Sequence, residues 1–347
     1  MIQERKDIRL LELEEIIQTF EDLGEKKFRA KQVFEWLWKK GVIDFDSMTN
    51  LSKELRDKLN EMFFFRTIEI DTVQKSSDGT VKSRFKLFDG SLIESVLIPV
   101  EKDDRYTLCV SSQVGCSLSC KFCATGQMKR VRNLDPGEIY DQFKLVNEQA
   151  LEDFGKPLTN IVFMGMGEPL LSYKNVIKSI DHICSDYGLG LSSKRITIST
   201  AGIAKMIKKL ADDRSKVNLA LSLHAADDDK RNQIMPINEQ NSIMVLMDAL
   251  KYYYQKTRNR ISYEYICFNG FNDSIEDADK LYELSKQFPV RINIIEYNPI
   301  AGVDYVKSDE NQINRFAAHL RDKGVMVTVR RSRGKDIDAA CGQLANK

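Results

Sequence analysis

The sequence predicts an α/β fold: a partial (β/α)6 barrel, preceded by a small helical domain and a short β connector. Two observations point there. From Tyr106 onward, short β-branched runs alternate with helical stretches, the pattern of a parallel sheet covered by helices. The unusual polar and thiol residues (Cys116, Gly165 to Glu168, Ser199, Ser222 to His224, Asn298) fall at or just beyond the carboxyl ends of the predicted strands. Ligand sites gather at that edge in parallel α/β folds, and a curled sheet aims all of these residues at one cavity.

Residues 1–65 read as the helical domain, with amphipathic stretches at 9–23, 28–38 and 52–62. Both tryptophans, Trp36 and Trp38, lie in the second stretch and are expected in the domain's core; Lys26, Lys27, Arg29, Lys31, Lys39 and Lys40 around them could form a surface for phosphates. Residues 66–104 alternate apolar and polar around Asp78-Gly79 and Asp89-Gly90, two hairpin signals. The barrel occupies 105–347, with strands expected at 107–110, 160–164, 195–199, 217–223, 261–268, 291–297 and 325–329. Helices such as 139–150 and 310–323 lie between them, the latter closed by Gly324.

The 347 residues suffice for one large α/β domain and an appendage. With 52 basic and 51 acidic residues the net charge is +1, so no global field advertises nucleic acid, although a local patch would be enough. No apolar run approaches a membrane span and the first residues are charged, so a cytoplasmic protein without a membrane partner is expected. In that compartment seven cysteines suggest ligands and redox groups rather than a disulfide framework. Cys184 and Cys267, in an apolar helix and an apolar strand, are expected to be inert.

Cys116, Cys120 and Cys123 put three thiols within eight residues, and no fourth Cys or His completes a familiar zinc spacing. Three thiolates can hold three corners of a cubane cluster and leave one iron open. The Cys-x3-Cys-x2-Cys spacing resembles the signature of the radical S-adenosylmethionine (SAM) superfamily, in which the open iron of a [4Fe-4S] cluster chelates SAM. Zinc or a purely structural site is the alternative. Gly167 and Glu168, in FMGMGEPL, resemble that superfamily's Gly-Glu-Pro element, which receives the amino group of SAM. Ser199 and the trio Ser222, Leu223 and His224 could contact the carboxylate, ribose and adenine, though each alone is more often a turn former or strand cap.

The motifs GCSLSCKFCATGQ, FMGMGEPL, LSLHA, MPIN and DIDAACGQL, in this order, resemble the RlmN/Cfr family of dual-specificity RNA methyltransferases over essentially the whole chain. The resemblance implies methylation of adenosine 2503 in 23S ribosomal RNA, at C2 in RlmN and C8 in Cfr, and often of adenosine 37 in tRNAs. FMGMGEPL and the segment 93–99 are closer to RlmN, so C2 is expected. In the mechanism so implied, Cys341 takes a methyl from one SAM and a second SAM yields a 5′-deoxyadenosyl radical that activates the methyl on Cys341. Cys109 then releases the product by forming a transient disulfide with Cys341. Glu94 matches the proton acceptor, Asn298 a polar group of the SAM and substrate cavity, and Met164 a side chain near the reactive methyl. The likeness further implies 23S rRNA and tRNA as partners and an external one-electron reductant, flavodoxin-like; a monomer is the default expectation. The loop 126–134 departs from the family pattern, with extra basic residues before Arg132-Asn133. Arg330, Arg331, Arg333 and Lys335 lead into the segment bearing Cys341, either to position it or to meet phosphates. The competing readings are C8 methylation, a non-catalytic iron-sulfur RNA-binding or redox-sensing protein, and a radical SAM enzyme acting on a small molecule.

Overall fold

A computed structural model describes residues 5–213 and 215–346. The first helices, α1 (Leu13–Asp22), α2 (Lys27–Trp38) and α3 (Lys53–Met62), form where the apolar spacing places them. A reciprocal pair of hydrogen bonds between Glu12 and Glu15 starts α1, and the Ser52 hydroxyl caps α3 by accepting from Leu55 N–H at 3.2 Å. Strands β1 (Lys6–Asp7) and β2 (Phe63–Phe64) pair and tie the ends of this module together. Trp38 is fully buried and stacks on His182 of the barrel, with ring centroids 3.7 Å apart. Trp36 is only half-buried, under the Lys40 ammonium at 3.4 Å, so the core expectation holds fully for Trp38 alone. The buried Arg9 fixes the module to the barrel by donating to both oxygens of Asp141, at 2.9 and 2.8 Å.

The next segment supplies β3 (Glu69–Lys75), β4 (Val81–Lys86) and β5 (Leu92–Val100), joined by tight turns in which Gly79 and Gly90 take φ of 85° and 79°. These strands continue antiparallel into the barrel sheet, because β5 pairs with β6 (Arg105–Cys109) from Val96–Cys109 to Val100–Arg105. The small strands β7 (Gln113–Val114) and β8 (Arg132–Asn133) pair beside the cysteine loop.

The sheet goes on in parallel through β9 (Asn160–Phe163), β10 (Ile196–Thr200), β11 (Asn218–Ser222), β12 (Ile261–Cys267), β13 (Val290–Glu296) and β14 (Met326–Arg330). Helices α4 (Pro136–Phe154), α5 (Tyr173–Cys184), α6 (Ala204–Asp212), α7 (Asp228–Ile234), α8 (Ile243–Thr257), α9 (Ile275–Ser285) and α10 (Glu310–Asp322) run between the strands. Six strand-helix units, with two helices in the fourth, are thus followed by a seventh parallel strand, and the ten-stranded sheet ends at β14 and β3 without closing. Helix α4 starts earlier than periodicity alone suggests, because Asp135-Pro136 and Glu138 make a capping box with proline at the first position. One large apolar core lies between helices and sheet, and a smaller cluster with Leu118, Phe122, Ile234 and Phe268 packs around the cysteine loop. Cys267 is fully buried and Cys184 partly so. Among the described residues no helix is long and apolar enough to cross a membrane.

Candidate active site

A cavity of about 860 Å³, counted with its open mouth, lies at the carboxyl ends of the parallel strands. Cys116, Cys120 and Cys123 line one wall. Their loop is held from several sides: Lys121 N–H donates to Ile234 O at 3.0 Å and Ala124 N–H to Gly342 O at 2.7 Å. Gly115, at φ 72°, admits no side chain, since a Cβ there would lie 2.3 Å from Lys129 O. Burial pushes the Cys116 thiol up to about 11 and raises those of Cys120 and Cys123, so these thiolates need a positive partner. Backbone N–H groups at Leu118 and Ser117 favour the Cys116 thiolate, and those at Gly126 and Thr125 that of Cys123. Among the described residues no three His, Cys, Asp or Glu side chains gather as one metal ion would require. A cubane takes each thiolate at a separate iron, so three cysteines spread along one wall, with amides facing sulfur, fit a [4Fe-4S] cluster better than zinc.

The opposite wall carries Met164, Gly167, Glu168, Ser199, Ser222 and His224. Gly167 is at φ 94°, and a Cβ on it would lie 2.4 Å from Gln113. Gln113 Oε1 accepts the Glu168 N–H at 2.8 Å and thereby sets the backbone at this turn. Glu168 is buried; its oxygens accept from Ala201 N–H at 2.7 Å and Leu170 N–H at 3.0 Å, yet burial pushes its carboxyl up to about 7. A cation entering the cavity would relieve that penalty. Ser199 and Ser222 on adjacent strands have their hydroxyls 3.4 Å apart. His224 Nδ1 accepts from Ile266 N–H at 3.2 Å, which places the proton of the neutral ring on Nε2, and burial lowers its pKa to about 3. Leu223, between two cavity-lining neighbours, has its side chain fully buried in the main core, so any contact it makes in the cavity would come from its backbone.

Cys341 lies on the segment after β14, and its exposed side chain faces the cavity. Asn298 Nδ2 donates to Cys341 O at 3.2 Å, and Thr125 Oγ1 to Leu344 O at 2.6 Å. Asn298 thereby ties the tail to the segment just after β13. Glu94, fully buried, also lies behind the tail, and its Oε2 accepts from Ala345 and Asn346 N–H at 2.9 and 3.0 Å. The basic residues ahead of the tail pair with carboxylates: Arg330 with Glu264 (3.2 Å), Arg331 and Lys335 with Glu296 (2.8 Å each) and Arg333 with Asp78 (3.6 Å). That pairing favours positioning of the tail over phosphate contact. Cys109 is buried at the end of β6, close enough to Cys341 that a thiolate there raises its pKa; burial and this charge push it up to about 12. Both thiols are free.

Two residues of the site escape sequence reading. Arg231 of α7 is fully buried, and its guanidinium donates to the carbonyls of Leu223 (3.0 Å), Ala201 (2.6 Å) and Ser222 (3.1 Å). It clamps the ends of β10 and β11 and brings a positive charge whose field reaches Cys120. Nothing in its helical surroundings signals this. Glu264 is a buried carboxylate at the cavity floor that accepts from Ser262 and Asn293, both at 2.8 Å. A lone acid in the aromatic run Ile261–Cys267 was the available signal.

Fold and site together define a radical SAM protein, and the model of the radical SAM superfamily matches residues 110–283. Residues 7–64 match the model described as ribosomal RNA large subunit methyltransferase N-terminal domain. The chain is 56% identical over 99% of its length to the probable dual-specificity RNA methyltransferase RlmN of Cytophaga hutchinsonii, covering 93% of that protein. It is 43% identical to the protein of the same name from Bacillus subtilis, over 99% of this chain and 94% of that one. The crystal structure of a radical SAM methyltransferase from Sphaerobacter thermophilus superposes with a TM-score of 0.92 at 38% identity, covering 99% of this chain and 100% of that one. The chain belongs to the RlmN family of radical SAM RNA methyltransferases.

Proposed function

We propose that this protein methylates C2 of adenosine 2503 in 23S ribosomal RNA and C2 of adenosine 37 in tRNAs, through a methylated Cys341 and with two SAM per methyl. The observation that carries the reading is the meeting, in one cavity, of the three-cysteine wall, the SAM-type wall and the exposed Cys341 side chain. Adenine C2 is electrophilic, as is the methyl of SAM, so direct transfer between them is disfavoured and a protein nucleophile must intervene. Cys341 fits that part. The protein packed around its sulfur inside the barrel mouth raises the thiol, even though the residue is solvent-exposed, but the neighbouring Arg330 guanidinium favours the thiolate that would displace the methyl from the sulfonium.

Cys116, Cys120 and Cys123 would hold the [4Fe-4S] cluster. With SAM at its open iron, such a cluster supplies one-electron cleavage of the sulfonium, the source of the carbon radical that activates the Cys341 methyl. Gly167 and Glu168 would receive the amino group of SAM, and Ser199, Ser222 and His224 its carboxylate and nucleoside, with the His224 Nε2 proton as donor. Met164 would bound the space beside the reacting carbon. Cys109, within electrostatic reach of Cys341, would release the methylated base by attacking Cys341 sulfur, leaving a disulfide that needs two external electrons to reset. Glu94 would take the proton from the ring carbon at Oε1, a buried oxygen that accepts no hydrogen bond and faces the Lys82 ammonium at 3.5 Å. That role requires the tail to shift, since Ala345 and Asn346 stand over the same carboxylate.

Residues 1–65 would serve as an RNA-binding module, 66–104 as its link and 105–347 as the catalytic barrel, in a cytoplasmic monomer served by a flavodoxin-like reductant. The test is anaerobic: the reconstituted protein, SAM, a reductant and a 23S rRNA fragment, followed by mass spectrometry of digested nucleosides. The expected product is 2-methyladenosine, lost in Cys341→Ala. 8-Methyladenosine would move the protein to C8 chemistry, and deoxyadenosine without methylated RNA would refute the substrate.

A further inference from the structure

A closed α/β barrel is normally filled by layers of branched apolar side chains. Here a second cavity, of about 1,070 Å³ with its open mouth, occupies the amino-terminal half of the lumen. Side chains alternate along a strand, and the inward positions in this half include Thr107, Thr197, Ser262 and Thr328, against Ile98, Val100 and Val162 of the branched apolar kind. Four arginines, Arg105, Arg260, Arg291 and Arg330, line the same space against one carboxylate, Glu264. Arg330 is paired with Glu264 and Arg105 lies 3.6 Å from Asp103. Among the described residues Arg260 and Arg291 have no carboxylate partner; the Arg291 Nε meets the Met326 sulfur, at 3.2 Å. Guanidinium groups left unpaired at the mouth of a polar channel serve folding poorly and suit a polyanion well.

The position of this space is as informative as its lining. Met164 and Glu264 border both cavities, so the two meet across a thin floor beside Arg330 and Cys109, with Cys341 on the upper side. SAM held against the cysteine wall would fill the upper cavity, leaving the lower one as a route to the carbon on Cys341. Asn218 and Asn293 on that route use their amide N–H groups on Lys194 O and Glu264 at 2.8 Å, leaving their carbonyl oxygens to accept from an exocyclic amine.

We infer that the amino-terminal mouth of the barrel is the docking pocket for the extruded RNA nucleotide: Arg260 and Arg291 grip the phosphates that flank the target adenosine, and its base rises past Asn218 and Asn293 toward Cys341. This rests on the RNA-methylating reading and goes beyond it, because it assigns substrate entry to the end of the barrel opposite the cluster, apart from the helical module. A base turned out of structured RNA costs a few kcal/mol, and phosphate contacts at the point of extrusion offset that cost where it arises.

The test uses the anaerobically reconstituted holoenzyme with a 23S rRNA fragment as probe. For Arg260→Ala/Arg291→Ala, the RNA dissociation constant is expected to rise about tenfold. The slope of log affinity against log salt should flatten by about 1.4, or about 0.7 for each single-strand phosphate that is no longer neutralised. SAM affinity and RNA-independent SAM cleavage stay at wild-type values. Arg260→Lys/Arg291→Lys keeps the salt slope, and Thr328→Trp, which narrows the exposed mouth, lowers RNA methylation without touching SAM cleavage. Wild-type RNA affinity, slope and KM in the alanine double variant would overturn the inference. If that variant also loses SAM it has lost its fold, and then the lysine pair and Thr328→Trp decide. RNA binding that depends on the mouth without any methylated nucleoside would refute the methyltransferase assignment and leave this pocket standing.

Discussion

Replacing Glu94 by Gln tests whether a buried acid holds the segment that presents Cys341. Glu94 is fully buried and Lys82 is 2% exposed, with Lys82 Nζ 3.5 Å from Glu94 Oε1. Removing one member of such a pair leaves the other charge stranded and costs about 3–5 kcal/mol. Gln keeps an oxygen for the Ala345 and Asn346 amides but not the negative charge, and charge-assisted hydrogen bonds are about twice as strong as neutral ones. The two tail contacts together should weaken by about 2 kcal/mol. That raises the population of the detached tail about 25-fold. Urea unfolding reports the first effect, and the rate of maleimide labelling of Cys341, read by peptide mass spectrometry, reports the second. A Lys82→Met/Glu94→Gln variant should regain stability while Cys341 stays readily labelled. Stability within about 1 kcal/mol of wild type, together with unchanged labelling, would refute the anchoring role.

Three other outcomes follow from the site. Arg231→Met leaves the buried carbonyls of Ala201, Ser222 and Leu223 without their donor, an expected loss of about 3–5 kcal/mol in urea unfolding; with the positive charge near Cys120 gone, the cluster becomes harder to reduce, which a redox titration followed by electron paramagnetic resonance would show. Burial raises the Glu168 carboxyl from 4.5 to about 7, so the unliganded fold holds this proton more tightly than the unfolded chain, and the resulting stabilisation is complete below pH 4.5 and gone above about pH 7; an ammonium-bearing ligand prefers the ionised form, so SAM affinity should fall up to tenfold per pH unit below 7, and a flat profile would remove Glu168 from the amino-group site. Cys109→Ala should accumulate protein crosslinked to RNA, visible as a shifted band after denaturing electrophoresis, whereas free, fully methylated RNA from this variant would end its resolving role.

The parallel strands were legible because β-branched runs of four to seven residues between amphipathic helices leave little choice of pairing, and each of them lies within a residue or two of its expected place. Just past the end of β11 the chain places Ser222 and His224 in the cavity and turns Leu223 between them to the core, with His224 in the left-handed region at φ 55°. The union of β5 with β6 was not legible, because a hairpin pattern says nothing about which neighbour its outer strand will find. The tail was opaque for a related reason. Its hydrogen bonds to Glu94, Thr125 and Asn298 join residues 43 to 252 positions apart, and none of those partners bears a local mark of the contact. Arg231 was hidden in an ordinary polar helical turn whose only peculiarity is its burial.

A sheet that never closes keeps two free edges, and an exposed row of unpaired backbone groups is a template for other chains. At one edge lies β3, almost wholly exposed, carrying Glu69, Asp71 and Lys75 and interrupted by a register shift between Ile70 and Thr72. The irregularity breaks the flat ladder that a stray strand would copy, and the charges make docking there costly. An unclosed sheet is therefore compatible with a molecule that resists growing into fibres by adding strands.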